Sequence, residues 1–468
     1  MSADVELYPA YILWLGLIPL ITAAILYRRL HGGGWMGDLT ASLPLFFLIV
    51  LSVSTALADY GWLPVLTYLV VGGLLFTLVY GNNVETTPPK IFKILMGIYL
   101  ILVSATVLAS LSEARLLSPP LLISLPAIAV IVSILKRKNI ILTLGILILI
   151  LGLTGGSSVE SIGGNLLQLT ASQDTLWIII VLAYLVYVSS AADTLTKSIT
   201  TISSIPILAS LILAGLGAII TPLAGISIPQ QSGTSAQPLQ TLPLILSFAV
   251  LGGWRWIDRV NSTRVVSWAG IFTALLASSL ILVSASDDVL DGFQTGAATV
   301  LAPIFGDFAK PLIGRIYGLV LALSGLVILT SAFSYLVGEL GVSKGWSGRQ
   351  AVGAILLIPF FMMAVLGSWR EILPYAGGIN MILWSILTLG VGVKPGLNTV
   401  KTVISLGIFI YAASTLIWLS LTRLASLENL ETLYTSITPI LGIAASGLGA
   451  WTVIKQVGNL LGRRRSIY

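Results

Sequence analysis

The 468-residue chain is 56% hydrophobic and only 9% charged, whereas a soluble globular chain carries about 25% charged residues, so water is excluded as its main solvent. Its net charge of +6 is scattered in short clusters between apolar runs, a pattern that fits membrane orientation and not a nucleic-acid face. With no cysteine and a single histidine, disulfides, thiolate metal sites and imidazole clusters are excluded as well, and no cofactor or metal is expected.

A helix needs about 20 apolar residues to cross the hydrocarbon core, and an open sheet edge does not survive there. The expected fold is therefore all-α, a polytopic membrane helical bundle forming a single transmembrane domain over 1–468. About 15 runs qualify as transmembrane helices. In chain order they are 8–27, 41–58, 62–80, 91–111, 120–135, 139–154, 175–192, 202–221, 239–256, 265–284, 312–338, 351–367, 372–393, 402–421 and 433–454. The first follows Asp4 and Glu6 rather than a basic segment, with no small-residue cleavage site, and is read as a retained helix.

Loop charges give an independent check, because cytoplasmic loops concentrate Lys and Arg. With the amino terminus outside, alternating the loops puts 19 of the 24 basic residues on the cytoplasmic side, among them Arg28, Lys138, Lys401, Lys455 and Arg463 to Arg465. The five left outside are Arg115, Lys310, Arg315, Arg370 and Arg423. Adding or deleting one span would reverse every later loop and destroy this asymmetry. The expected location is the plasma membrane, with the carboxyl terminus cytoplasmic. Three outer segments are long and polar, 155–174, 222–240 and 285–311, and are read as lids or re-entrant pieces.

Little in the chain points to an enzyme. His31-Gly32-Gly33-Gly34-Trp35 resembles an oxyanion-hole motif, but no G-x-S-x-G nucleophile elbow accompanies it, and it reads as a cytoplasmic turn. Asp59, Asp174, Asp193 and Glu339 fall at the ends of spans, where charges face water. Acid–base chemistry in the bilayer needs titratable groups among the helices, and none lies well inside a span.

Helix breakers and hydroxyls inside apolar runs are more informative, since unwound backbone at membrane depth is tolerated only beside protein or a water-lined cavity. Ser52, Ser54 and Thr55 give polarity to the second span, and Gly215, Gly217, Pro222, Gly225 and Pro229 interrupt the region before Ser232-Gly233-Thr234-Ser235. Freed carbonyls, N–H groups and hydroxyls there would hold a small polar solute or an ion, and the two breaks are expected to face one another. The competing reading is helix-packing glycines, with hydroxyls bonded to their own helix.

The order of several motifs resembles the carbon starvation protein family, transporters of peptides and pyruvate in the amino acid–polyamine–organocation superfamily. These are Gly61-Trp62-Leu63-Pro64 before a run to Tyr80-Gly81-Asn82, Leu176-Trp177-Ile178 before Tyr184, Ser232-Gly233-Thr234-Ser235-Ala236-Gln237, Phe293-Gln294-Thr295-Gly296-Ala297, and Tyr335 with Glu339-Leu340. Trp369, Ile372, Pro374, Gly377 and Asn380 complete the series. The resemblance implies a five-plus-five inverted-repeat core over 41–393, with peripheral helices at 1–40 and 394–468. It also implies a small organic solute, a peptide or pyruvate-like acid, held by Ser52, Ser54, Thr55, Gly215, Gly217, Gly225, Ser232, Thr234, Gln237 and Asn380.

Two departures bear on mechanism. The family's first broken helix carries paired histidines and glycines, and 43–55 has neither; its long helix before Glu339 carries an acid and arginines, and 326–334 has none. Without a buried acid, transport is expected to be facilitated or coupled to a sodium ion. The principal alternative is a non-transporting structural or assembly subunit of a membrane complex, with a membrane-embedded enzyme third.

Overall fold

The computed structural model describes residues 45–61, 64, 65, 67–69, 71, 90–113, 212, 213, 215–217, 220, 241–250, 289–339, 369–390, 397–426 and 437–465. Of these, 97% are helical. In chain order the helices are α1 (Leu45–Tyr60), α2 (Lys90–Glu113), α3 (Leu242–Val250), α4 (Val289–Phe305), α5 (Lys310–Glu339), α6 (Trp369–Gly390), α7 (Leu397–Ala425) and α8 (Ile437–Arg465), with a 3-10 turn at Asp307–Ala309 between α4 and α5. Among the described residues, four stretches are long and apolar enough to cross a membrane: Ile91–Ser110, Trp369–Leu389, Val400–Ala425 and Ile437–Gly458.

Helix α6 is the hub. It packs against α2, α3, α7 and α8, and 89% of its apolar window is buried against 28% for α7. The peripheral pair is built inside-out relative to a soluble amphipathic helix. In α7 the residues turned inward include Ser405, Ala412, Ala413 and Ser420, while Val403, Ile410, Trp418 and Leu421 point out. In α8 the inward residues include Ala445 and Ser446, with Ile440, Trp451 and Ile454 outward. Small residues at helix contacts and bulky apolar ones outside are what a lipid solvent selects, because close backbone approach and not burial of oil drives the association.

Helix starts and stops follow local chemistry. The Thr241 carbonyl accepts from the Ile245 N–H at 3.0 Å, so Thr241 stands at the start of α3 with Pro243 in the first turn, a position where its missing N–H costs little. At the end of α1, Gly61 takes φ 76° and its N–H donates to the Leu57 carbonyl at 3.0 Å, a left-handed stop that glycine adopts without a Cβ penalty.

The segment 285–311, expected as an outer polar stretch, contains a helix built into the core. Phe293, Ala297, Val300 and Leu301 form the buried stripe of α4, at the spacing of one helical face. The Phe293 ring meets Phe46 edge-on at 5.8 Å and Tyr317 at 6.1 Å. Gly306 at φ 86° and ψ 157° then reverses the chain into α5, backbone open essentially to glycine alone.

The runs at 41–58, 91–111, 239–256, 312–338, 372–393, 402–421 and 433–454 overlap α1, α2, α3, α5, α6, α7 and α8. Those at 8–27, 120–135, 139–154, 175–192, 265–284 and 351–367 lie outside the described residues, while positions described within 62–80 and 202–221 are helical.

Candidate functional site

Among the described residues the buried polar side chains are serines, threonines and Asn380, with the tyrosine and tryptophan side chains of residues such as Tyr99, Tyr317 and Trp384 beside them, and no Asp, Glu, Lys, Arg or His is fully buried. Among the described residues the interior is therefore polar but uncharged. Charged groups collect at helix ends: Asp59 near the end of α1, and Arg370 and Glu371 at the start of α6.

The expected candidates divide into three groups. Ser52, Ser54 and Thr55 are buried in α1 at 0%, 4% and 4% exposure, and the helix runs unbroken through them, so the unwinding expected beside Ser54 is absent. Burial in apolar surroundings holds that backbone in its own ladder, since an unwound turn would leave N–H and carbonyl groups unpaired. The Thr55 hydroxyl donates to the Leu51 carbonyl at 2.8 Å, which is the packing alternative. The hydroxyls of Ser52 and Ser54 have no hydrogen-bond partner among the described residues.

Gly215 and Gly217 are buried and helical, again without the expected break at those positions. A Cβ on Gly217 would stand 2.7 Å from Val300 Cγ1 and 3.0 Å from the Val300 carbonyl oxygen, so this glycine lets its helix approach α4. Gly225, Ser232, Thr234 and Gln237 lie outside the described residues.

Asn380 is the most developed of the candidates. It is fully buried on α6, and its Nδ2 donates to the Ser247 carbonyl of α3 at 3.1 Å. Because that neighbour is an acceptor, only the amide nitrogen can face it, which fixes the amide orientation. Oδ1 is then turned elsewhere, with no donor among the described residues. The Ser247 hydroxyl lies 2.8 Å from the carbonyls of both Leu244 and Gly377 and ties the two helices at the same level. Gly377 makes this possible, since a Cβ there would fall 1.8 Å from the Leu244 oxygen. Ser247 had no distinguishing mark in the sequence; a lone serine in an apolar run is what any membrane bundle contains.

Helix α3 packs against both α1 and α6, standing beside the helices that carry Ser52 to Thr55 and Asn380, while Gly217 meets α4. One end of the bundle is polar. The Tyr60 hydroxyl is hydrogen-bonded to that of Thr241, Asp59 and Arg370 attract one another, and Arg423 Nη2 binds Glu371 Oε2 at 2.8 Å. Arg370 also lies over the Trp369 ring at 5.5 Å. These contacts join the ends of α1, α3, α6 and α7, and Ser54 sits about 9 Å along α1 from Tyr60 at the helical rise.

No family model matches the sequence, and neither does any curated protein.

Proposed function

We propose that the chain is a membrane transporter of a small organic solute, with Asn380 as a polar contact near the middle of its central helix. The observation that carries this reading is the half-satisfied amide: one end of Asn380 is held by Ser247 and the buried Oδ1 has no donor among the described residues. A buried acceptor without a donor costs about 1–3 kcal/mol; Oδ1 shares this state with other buried atoms, among them Ser104 Oγ, Ser405 Oγ and Gln456 Oε1, and is set apart by its place at the middle of α6. Ser52 and Ser54 add hydroxyls of the same kind.

An unused carbonyl oxygen selects a hydrogen-bond donor or a cation. Peptide N–H groups fit Oδ1, while a carboxylate would place oxygen against oxygen. Of the solutes implied by the carbon starvation resemblance, peptides therefore suit this contact better than pyruvate-like acids, and the resemblance itself rests on the motifs alone. The proposed orientation puts Gly33 and Arg464 on the cytoplasmic side. Single cysteines there should label from that side only, and labelling from opposite sides would overturn the odd span count.

The decisive experiment is uptake by the purified chain in liposomes, with Asn380→Ala beside the parent. Uptake reduced at least about tenfold in a protein that still folds is the expected result, with a modest fall in melting temperature because the Ser247 carbonyl loses its Nδ2 donor. Unchanged uptake with a lowered melting temperature would make Asn380 a packing residue.

A second reading, a structural or assembly subunit, draws on the dense packing around Ser52, Ser54 and Asn380 and on the bulky apolar side chains that α7 and α8 leave exposed. Failure of the parent chain to take up any solute in the screen, with stable association to other membrane proteins on mild extraction, would favour it.

A further inference from the structure

The α7–α8 pair carries apolar and basic groups together at one end. The helices pack antiparallel, as Gly449 facing Phe409 and Gly442 facing Ser420 show. The first turns of α7 therefore lie beside the last turns of α8. At this end Val400 and Val403 of α7 are 61% and 63% exposed, and Trp451 and Ile454 of α8 are 65% and 69% exposed. These are the four most exposed large apolar side chains of the two helices.

The basic groups follow immediately. Lys401 lies between the two valines, Lys455 is exposed and adjoins Ile454, and α8 continues as a helix beyond its apolar stretch, which ends at Gly458, through Arg463 to Arg465. Those last seven residues add about 10 Å of helix. No acidic residue lies in 397–403 or 448–465. Exposed apolar side chains interleaved with positive charge, with no counter-charge on their own elements, have the chemistry of neither a water-facing surface nor a purely hydrocarbon-facing one.

We propose that this end of α7 and α8 binds an anionic phospholipid, its acyl chain along Val400, Val403, Trp451 and Ile454 and its phosphate held by Lys401 and Lys455. Anionic headgroups gain about 1 kcal/mol for each nearby Lys or Arg, or roughly fivefold in affinity per charge, and the aromatic Trp451 suits the interface where the polar and apolar parts of a lipid meet. The occupant follows from charge complementarity: a second copy of the chain would bring Lys401 and Lys455 against the same positive charges.

The test is native mass spectrometry of the full chain from mixed micelles, with phosphatidylglycerol or phosphatidylcholine of identical acyl chains at equal concentration. Retention of phosphatidylglycerol should exceed that of phosphatidylcholine by at least about fivefold. Lys401→Gln with Lys455→Gln should bring the two toward parity, and Lys→Arg at both positions should keep the preference. Trp451→Ser should lower retention of both lipids. Equal retention in the parent would overturn the proposal, as would a preference that survives both glutamine substitutions. Displacement by millimolar glycerol phosphate would show that the headgroup alone is recognised and remove the acyl-chain part. Cysteine cross-linking between copies through Trp451→Cys in lipid vesicles would give the face to a second copy and also overturn it. Because Lys455 and Trp451 are exposed, an unchanged elution profile of the variants serves as the folding control.

Discussion

Two adjacent glycines on α6 separate the kinds of tolerance a residue meets here. At Gly377 an added methyl would overlap the carbonyl of Leu244, 1.8 Å away, with the backbone carbon at 2.8 Å. Backbone cannot rotate aside, so α3 would have to leave α6 and take with it the Ser247 and Asn380 hydrogen bonds. At Gly378 the obstacle is the Leu416 side chain at 2.7 Å, which can change rotamer. At Gly407 nothing lies within 4 Å. Overpacking costs about 1–3 kcal/mol, and Ala gains about 1 kcal/mol over Gly inside a helix. We therefore expect Gly377→Ala to lower stability by about 2 kcal/mol, Gly378→Ala to be nearly neutral and Gly407→Ala to raise it slightly, as read by thermal melting in detergent. A Gly377→Ala protein as stable as the Gly407→Ala one would mean that α3 and α6 do not touch here.

At the scale of elements, α4 is the helix that apolar-run counting does not find. Asp291, Gln294, Thr295 and Thr299 break the apolar continuity of its stretch, and only the buried positions at 293, 297, 300 and 301 reveal a helix face. If it is a core helix, Phe293→Ala removes the ring between Phe46 and Tyr317 and should cost about 3–5 kcal/mol. A surface loop residue would cost within about 0.5 kcal/mol, so a small change in unfolding would return this segment to the surface. Long apolar runs such as 91–111 and 402–421 were legible in the sequence because a membrane crossing leaves a strong length signal. The contacts that assemble a site were not, because Ser247, Thr241 and Tyr60 meet partners 130 or more residues away. Asn380 was named from the spacing of its motif; the structure adds that it is buried, and which of its amide atoms is used depends on a carbonyl from another helix. The expected unwinding at Ser54 failed because hydroxyls in a helix can stay buried without breaking it, as Thr55 does by donating one turn back.

For the molecule as a whole, the lack of buried charge among the described residues limits, on the transporter reading, what could drive movement of a solute. Proton coupling usually employs an acid or histidine facing the bundle interior. No Asp, Glu, Lys, Arg or His is fully buried among the described residues. Asp59 sits in the last turn of α1 and attracts Arg370, and Glu339 is the last residue of α5; Asp174 and Asp193 lie outside the described residues. Sodium needs only oxygen ligands, which hydroxyls, carbonyls and an amide such as Asn380 Oδ1 can supply. On the transporter reading we expect movement down a gradient, or concentration driven by sodium, in liposomes given a pH gradient, a sodium gradient or neither. A sodium-driven reaction should weaken when Asn380→Ala removes the free oxygen. Concentrative uptake driven by the pH gradient alone, and abolished by neutralising Asp59, Asp174, Asp193 or Glu339, would instead assign the proton to an acid at the end of a span. The neutral buried residues would then line the path without coupling it.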